Sequence, residues 1–192
     1  MEEAADSAVE VKEKDRAVAL IIAVLALLLA LGEAGAKRAE HLSMEKNIEA
    51  SDLFNFYQAK RVRATIAETA AGTLEAERAA AAPAAQGAFE KPIQDFKAAV
   101  ARLEKDPKKP EDSLEALQER ANQAVEAREL ANKRLEHYEF GSGLAQIAIV
   151  LASAAIITGI GALVWLSVAL GALGAALLAL GFFAPSLLGF IV

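Results

Sequence analysis

Long apolar runs alternate with charged stretches along this chain, and the first apolar run comes early. Residues 17–31 contain no polar side chain, and the apolar character continues past Glu33 to residue 36. A helix of about 20 residues spans about 30 Å, which matches the hydrocarbon core of a bilayer. The pattern predicts a first transmembrane helix over residues 17–36.

A second apolar run extends over residues 144–188 and contains no charged residue. This run is too long for one membrane crossing and suits two, with Gly159-Ile160-Gly161 as the natural turn between them. The pattern predicts a second transmembrane helix over residues 143–160 and a third over residues 161–184. Residues 185–192 would then form a short C-terminal tail.

The residues between these runs have a different character. Residues 37–142 contain 17 Lys and Arg against 19 Asp and Glu, spaced as on solvated helices. The first proline of the chain is Pro83, so the first helix is predicted to continue unbroken to about Ala80. Residues 1–16 are acidic and hold few bulky apolar side chains, which predicts a solvated tail.

Two apolar seams with steps of 3 and 4 residues follow a turn around Pro83. The first predicts a short helix with Pro92 in its first turn, and the second predicts a longer helix. The two seams are Ile93, Phe96, Val100 and Leu103, and then Leu114, Leu117, Ala121, Ala124, Arg128, Ala131, Leu135 and Tyr138. Asp112 with Glu115 predicts a capping box, and Gly141-Ser142-Gly143 predicts a kink or hinge.

Composition supports this picture. The chain is 55% hydrophobic with a mean hydropathy of +0.29, more than a soluble domain usually carries. Its apolar residues are mostly Ala, Leu, Ile and Val. Only 6% of all residues in the chain are aromatic, and this composition favours helix over sheet. We predict an all-α integral membrane protein with three transmembrane helices and a helical, coiled-coil-like soluble segment over residues 37–142.

Several function classes are disfavoured. The chain has no cysteine, which excludes disulfides and thiolate sites, and its net charge of −6 argues against a nucleic-acid partner. Phosphate-binding loops, nucleophile elbows, zincin helices and dinucleotide glycine patterns are missing from the sequence. We therefore expect no enzyme, no cofactor and no metal site.

The first apolar run also has an alternative interpretation. Basic residues precede it and Ala34-Gly35-Ala36 resembles a cleavage site, as in a secretory signal peptide. The acidic leader and the length of the run favour the transmembrane interpretation.

Small residues recur at helical steps in each predicted span. Such stripes let membrane helices approach closely and gain dispersion contacts, although alanine is common throughout this chain. The stripes are Ala19, Ala23, Ala26 and Ala30, then Ala148, Ala152, Ala155 and Gly159, then Gly171, Ala175 and Ala179.

Four bulky side chains lie within two turns after the first span: Leu53, Phe54, Phe56 and Tyr57. They occupy more than one face of the helix, which is more than one neighbouring helix needs to bury. One interpretation is packing inside the subunit's own hairpin, and the other is an interaction surface for a second subunit or a membrane-protein partner.

Glu33 is the one charge that could reach hydrocarbon depth, and an intramembrane carboxylate is a functional hypothesis by default. Lys37 follows four residues later, so a surface pair with Glu33 is the simpler interpretation. In an oligomer, Glu33 and Lys37 would instead be pore or interface charges.

The two histidines, His41 and His137, each follow a glutamate. An antiparallel hairpin could bring them level, where they could bind a divalent metal or respond to pH. Isolated histidines on charged helices are usually solvated, and we expect that here.

Two segments carry a resemblance to a known family. They are Ala50-Ser51-Asp52-Leu53-Phe54-Asn55-Phe56-Tyr57-Gln58-Ala59-Lys60 and Leu144-Ala145-Gln146-Ile147-Ala148-Ile149-Val150-Leu151-Ala152-Ser153. They resemble a bacterial membrane family known only as a domain of unknown function, whose members end in a two-span hairpin. The resemblance implies a multi-pass protein of the bacterial inner membrane and implies no activity. A continuous coiled coil would be expected of the family, whereas this chain is interrupted from Pro83 to Pro110.

Positive charge near the membrane bears on orientation. The polar segment carries six membrane-proximal basic residues against three in the N-terminal tail, which favours a cytoplasmic polar segment. We predict a membrane-anchored structural or scaffolding protein that forms a homo-oligomer through small-residue transmembrane faces and coiled-coil helices. The alternative is an oligomeric ion channel or an accessory subunit of a membrane transporter.

Overall fold

The computed structural model of the protein describes residues 2–105 and 108–187, with side chains from residue 15 onwards within those ranges. These residues form four α-helices and one short 3-10 turn, and they contain no strand, so the all-α prediction is confirmed. The helices are α1 (Glu2–Ala80), α2 (Gly87–Glu104), α3 (Leu114–Thr158) and α4 (Gly161–Phe183), and the turn is Pro110–Asp112.

The first helix is continuous and ends where the sequence predicts. It runs without a break to Ala80, and the following turn contains Pro83. The side chain of Gln86 donates a hydrogen bond to the carbonyl oxygen of Ala81, 3.2 Å away, and so satisfies one carbonyl just beyond the helix end. At the other end α1 begins at Glu2, so the segment predicted as a tail is part of the helix.

At Gly141-Ser142-Gly143, where the sequence predicts a kink or hinge, α3 continues as helix. Two local predictions were wrong. Pro92 lies beyond the first turn of α2, because that helix begins at Gly87. Ser113, and not Asp112, caps α3: its hydroxyl accepts a hydrogen bond from the backbone N–H of Ala116, 3.2 Å away.

The chain divides into two compact units. The apolar unit comprises the described residues up to 44 and from 128 onwards, and the polar unit comprises the described residues within 45–127. The apolar unit therefore holds one part of α1, most of α3 and all of α4. The polar unit holds the rest of α1 and α3, together with α2.

In the apolar unit, α1 and α4 both pack against α3. The Ser43 hydroxyl donates to the side-chain oxygen of Asn132, 2.5 Å away, while Gly32 lies beside Ser142. Residue numbers thus rise along α1 as they fall along α3, so these helices are antiparallel. Small buried residues line the contact of α3 with α4, and a Cβ on Gly174 would lie 2.8 Å from the carbonyl oxygen of Gly141.

Three helices are long and apolar enough to cross a membrane, and each predicted span falls within one of them to within two residues. The turn between α3 and α4 falls at the predicted place. Gly159 has a φ of +67°, a backbone conformation that favours glycine, and α4 begins two residues later. The helix then ends at Phe183, immediately before Ala184 and Pro185.

The core of the polar unit lies between α1 and α3. Leu53, Leu117 and Ala121 form a buried cluster, and Ile93 of α2 is also buried. The seam predicted on α3 is the face that it buries here, because Leu114 and Ala124 are buried as well. An ion pair of 2.6 Å between Lys97 of α2 and Glu75 of α1 joins these two helices.

Candidate functional site

The four bulky side chains after the first apolar run divide between two environments. Leu53 is buried in the core of the polar unit, and Phe54 and Tyr57 pack against that core. Phe56 is 43% exposed. Three of the four therefore contact the subunit's own hairpin, and one faces outwards.

Phe56 and Lys60 lie one turn apart on α1 and interact. The ammonium nitrogen of Lys60 lies 5.5 Å from the centre of the Phe56 ring, within the range of a cation–π contact. Lys60 also donates a hydrogen bond to the carbonyl oxygen of Asp112, in the turn that precedes α3. The ammonium group of Lys60 therefore contacts both the Phe56 ring and the turn before α3.

A second apolar face of α1, which sequence reasoning missed, lies in the polar unit. Ile48, Val62 and Ile66 are 60%, 58% and 63% exposed, and Asn55 and Ala59 are also exposed. From Asn55 these residues follow steps of 4, 3 and 4, the spacing of a coiled-coil seam. We call this set the outward seam: Ile48, Asn55, Ala59, Val62 and Ile66.

The outward seam lies opposite the face that α1 buries. At 3.6 residues per turn, the buried residues Leu53, Ala64 and Ala67 project from the other side of the helix. The spacing of the seam is visible in the sequence, but the buried face has the same spacing. Only the fold shows which of the two faces other parts of the chain cover.

Glu33 and Lys37 lie on the exposed side of α1 in the apolar unit. Both residues are exposed, and the predicted ion pair between them is not formed. They continue the alanine stripe of the same helix, since residues 19, 23, 26, 30, 33 and 37 follow one another by steps of 4 and 3. The four alanines of that stripe are exposed as well.

The small-residue stripe of α3 has a different environment from that of α1. Ala148, Ala152 and Ala155 are buried inside the subunit, as is Gly171 of the α4 stripe. Close helix packing explains these positions, whereas nothing in the described chain covers the stripe of α1.

The structure does not bring the two histidines together as a site. His41 is exposed on α1, while His137 is buried on α3 and donates from Nδ1 to the carbonyl oxygen of Lys133, 2.6 Å away. Within the described ranges no group of three or more His, Cys, Asp or Glu side chains is placed to hold a metal ion. The expectation of a solvated histidine holds for His41 and fails for His137.

Two ion pairs shift pKa values in the polar unit. The Nζ of Lys46 lies 2.7 Å from the carboxylate of Glu49 and donates a hydrogen bond to it, which raises the pKa of Lys46 and lowers that of Glu49. In the same way, the hydrogen bond from Lys97 lowers the pKa of the Glu75 carboxyl. The first pair lies within α1, and the second joins α2 to α1.

Comparison with known proteins gives a family without an assigned activity. The model of a family described as a domain of unknown function (DUF4337) matches residues 14–184. This match confirms the resemblance to a family of unknown function. Neither the comparison with curated proteins nor that with solved structures found a match.

Proposed function

The chain belongs to this family of unknown function, and we propose from its own geometry that it is a membrane-anchored structural or scaffolding protein that self-assembles. The outward seam carries the proposal. It is an apolar face on a helix of the polar unit, exposed although the same helix already buries another face.

The membrane anchor is supported by the surface of the apolar unit. Its helices expose large apolar side chains over most of their length, among them Leu27, Ile157, Trp165 and Phe183. Such a surface is costly in water and free of cost in lipid, because lipid tails are as apolar as leucine. The three helices with this surface are those long enough to cross a bilayer.

The outward seam is stronger evidence for a partner than the alanine stripe, because the seam is exposed to water. Removing an isoleucine or valine side chain from water contributes about 1.5–3 kcal/mol, so association through Ile48, Val62 and Ile66 would be favourable. Alanines that face lipid cost nothing, and their exposure alone does not require a partner. The stripe is consistent with a second contact between copies inside the membrane.

A second copy of this chain is the occupant that we propose for the outward seam. Copies inserted in the same orientation have parallel α1 helices, so each seam residue would meet its counterpart. Asn55 would then pair with Asn55 of the other copy, and a single polar residue in an apolar seam specifies register and oligomer state.

Charge placed in the outward seam tests this assembly. The double variant Ala59→Lys, Ile66→Lys puts two like charges in the seam of each copy and should reduce the particle to a monomer in mild detergent. The matched control is Gln58→Lys, Thr65→Lys, which has the same spacing on exposed positions outside the seam. Light scattering coupled to size exclusion gives the mass. A monomeric wild type, or equal masses for both variants, would contradict the proposal.

Introduced cysteines test the same contact in a lipid membrane. The chain has no cysteine, so Ala59→Cys provides its only thiol. Mild oxidation in proteoliposomes should give a disulfide-linked dimer with Ala59→Cys and little with Gln58→Cys. Cross-linking that is equal at the two neighbouring positions would indicate random collision instead of a defined seam.

An ion channel remains the second candidate function, because Glu33 lies on the exposed alanine stripe of α1. If copies meet along that stripe, their Glu33 carboxylates would form a ring near the membrane surface and attract cations. Cation flux from liposomes, lowered at least severalfold by Glu33→Gln, would support this function. A tight liposome that contains the oligomer would leave the scaffold as the better account.

We also propose a bacterial inner-membrane location, which the family resemblance implies, and a cytoplasmic polar unit, on the basis of the excess of basic residues near the membrane. A single cysteine at Gln58 should then be protected from a membrane-impermeant thiol reagent in intact cells and be labelled after lysis. Labelling in intact cells would reverse the orientation.

A further inference from the structure

A cavity of about 890 Å³ opens between α1, α3 and α4 in the apolar unit. One end is apolar and is lined by leucine, alanine and phenylalanine side chains from α1 and α4. The other end holds Arg38 and Arg134 together with Ala39 and Leu42, and Tyr138 lies between the two ends. The apolar lining includes Leu28, Leu31, Ala175, Leu178, Ala179 and Phe182.

The arginines lie at one level of the antiparallel pair of helices. Gly35 of α1 lies beside Tyr138 of α3, and Ser43 bonds Asn132, so Arg38 falls between these two contacts, as Arg134 does. Arg38 also follows the predicted end of the first span by two residues. In a bilayer, both guanidinium groups would lie where hydrocarbon gives way to headgroups.

The guanidinium of Arg134 has an unmet hydrogen-bonding requirement. Its Nε is buried and has no hydrogen-bond partner within the described chain. Neither Arg38 nor Arg134 forms an ion pair with any described residue, and no carboxylate lines the cavity. The two guanidinium groups thus line the cavity without a carboxylate beside them, which favours an anion as their partner.

We propose that this cavity binds one anionic phospholipid. The phosphate accepts hydrogen bonds from Arg38 and Arg134, whose planar donors match phosphate oxygens. An acyl chain lies along Leu178, Leu31 and Leu28 towards the membrane centre. The excess positive charge selects an anionic lipid over a zwitterionic one, because a zwitterionic headgroup carries its own cation.

The form of the cavity favours a lipid over a free phosphate ion. An inorganic ion would occupy only the arginine end and would make no contact with the apolar end. A phospholipid matches both ends, and its phosphate is held at the headgroup level by the rest of the membrane. The arginine end alone would attract any small anion, which gives the test its second arm.

The test uses the full chain purified in mild detergent. Phosphatidylglycerol, phosphatidylcholine and inorganic phosphate are added separately, and thermal unfolding and native mass spectrometry report binding. We expect phosphatidylglycerol to raise the unfolding temperature and to remain bound as one molecule per chain, with much smaller effects from the other two. An equal effect of phosphatidylcholine, or of inorganic phosphate alone, would overturn the assignment.

Variants locate the binding site. Arg38→Gln and Arg134→Gln should each weaken phosphatidylglycerol binding by about tenfold, since each removes a charged hydrogen-bond donor. Arg63→Gln, which removes an exposed arginine elsewhere on α1, is the matched control and should have no effect. Unchanged affinity in the double variant Arg38→Gln, Arg134→Gln would place the lipid elsewhere and refute the proposal.

A cavity-filling variant separates binding from folding. Ala179→Phe fills part of the apolar end while both arginines remain, and position 179 is exposed, so the helix packing should tolerate the larger side chain. With a circular dichroism spectrum like that of the wild type, this variant should lose retained phosphatidylglycerol. Full retention would show that the acyl chain does not use the cavity.

Discussion

The hydroxyl of Ser167 donates a hydrogen bond to the carbonyl oxygen of Ala148, 2.8 Å away, and so joins α4 to α3. Both residues are fully buried. We predict that Ser167→Ala lowers the free energy of unfolding by about 0.6 kcal/mol and by no more than about 1.7 kcal/mol, the mean and the maximum for such bonds between membrane helices. Unfolding in mixtures of mild detergent and sodium dodecyl sulfate measures it.

Ser153 provides the control for Ser167. Its hydroxyl bonds the carbonyl oxygen of Ile149 in the same helix, 2.8 Å away, so Ser153→Ala breaks no contact between helices. Equal losses for the two variants would mean that the Ser167 hydrogen bond does not hold the helices together.

Two glycines should respond in opposite directions to alanine. A Cβ on Gly174 would lie 2.8 Å from the carbonyl oxygen of Gly141, so Gly174→Ala forces α3 and α4 apart and destabilises the apolar unit. Gly72 has open space around its Cβ position, and Gly72→Ala should stabilise α1 by about 0.5–1 kcal/mol. Thermal unfolding followed by circular dichroism compares the two, and a tolerated Gly174→Ala would contradict the close approach.

The environments of Leu117 and Phe56 predict unequal costs of truncation. Leu117 is fully buried in the core of the polar unit, so Leu117→Ala should cost about 2–5 kcal/mol. Phe56 is partly exposed, and the stability of the single subunit should change by less than about 0.5 kcal/mol in Phe56→Ala. Denaturant unfolding, measured in the background of a monomeric seam variant, gives the stability of the single subunit. Similar losses of stability in Leu117→Ala and Phe56→Ala would refute the assignment of Leu117 to the core and of Phe56 to the surface.

The ion pair between Glu75 and Lys97 predicts a pH dependence for α2. The pKa of Glu75 is lowered by its hydrogen bond with Lys97, so the pair stabilises the contact above the unfolded pKa near 4.5 and loses this effect as the pH falls through the lowered value. Glu75→Gln should therefore speed amide exchange over residues 87–104 modestly at pH 7 and not at pH 3. Glu77→Gln is the exposed control, and equal behaviour of both variants at pH 7 would exclude a role for the pair.

Trp165 reports on membrane insertion, because it is the one tryptophan of the chain and is 78% exposed. It lies four residues after the start of α4, about 6 Å along the helix, where tryptophan is enriched near membrane interfaces. We expect lipids brominated near the headgroup to quench its fluorescence more than lipids brominated near the chain ends. An unquenched tryptophan, or a protein that remains soluble without detergent, would refute the membrane anchor.

Sequence patterns predicted the large features because each has a local cause. Pro83 is the first residue that opposes helix, so α1 ends close before it, and Gly159 is the residue that allows the left-handed turn between α3 and α4. The seam from Leu114 is buried because its spacing presents one side to a neighbour.

The features that sequence analysis missed depend on contacts between helices. Gly141 indicates flexibility when considered alone, but in the fold it allows α4 to approach α3 closely, and the helix stays regular. His137 is buried because Gly181 leaves room for it, a distance of 44 residues along the chain. The outward seam can be distinguished from the buried face only in the fold, where Leu53, Ala64 and Ala67 are buried and the seam is exposed.

In the membrane arrangement that we propose, the connection between α3 and α4 leaves very little peptide on its side of the bilayer. The connection consists of Gly159 and Ile160 alone, so almost no peptide is accessible there to an antibody, a protease or a binding protein. Any fluorescent tag or affinity handle meant for that compartment would have to be attached ahead of the first apolar stretch of α1.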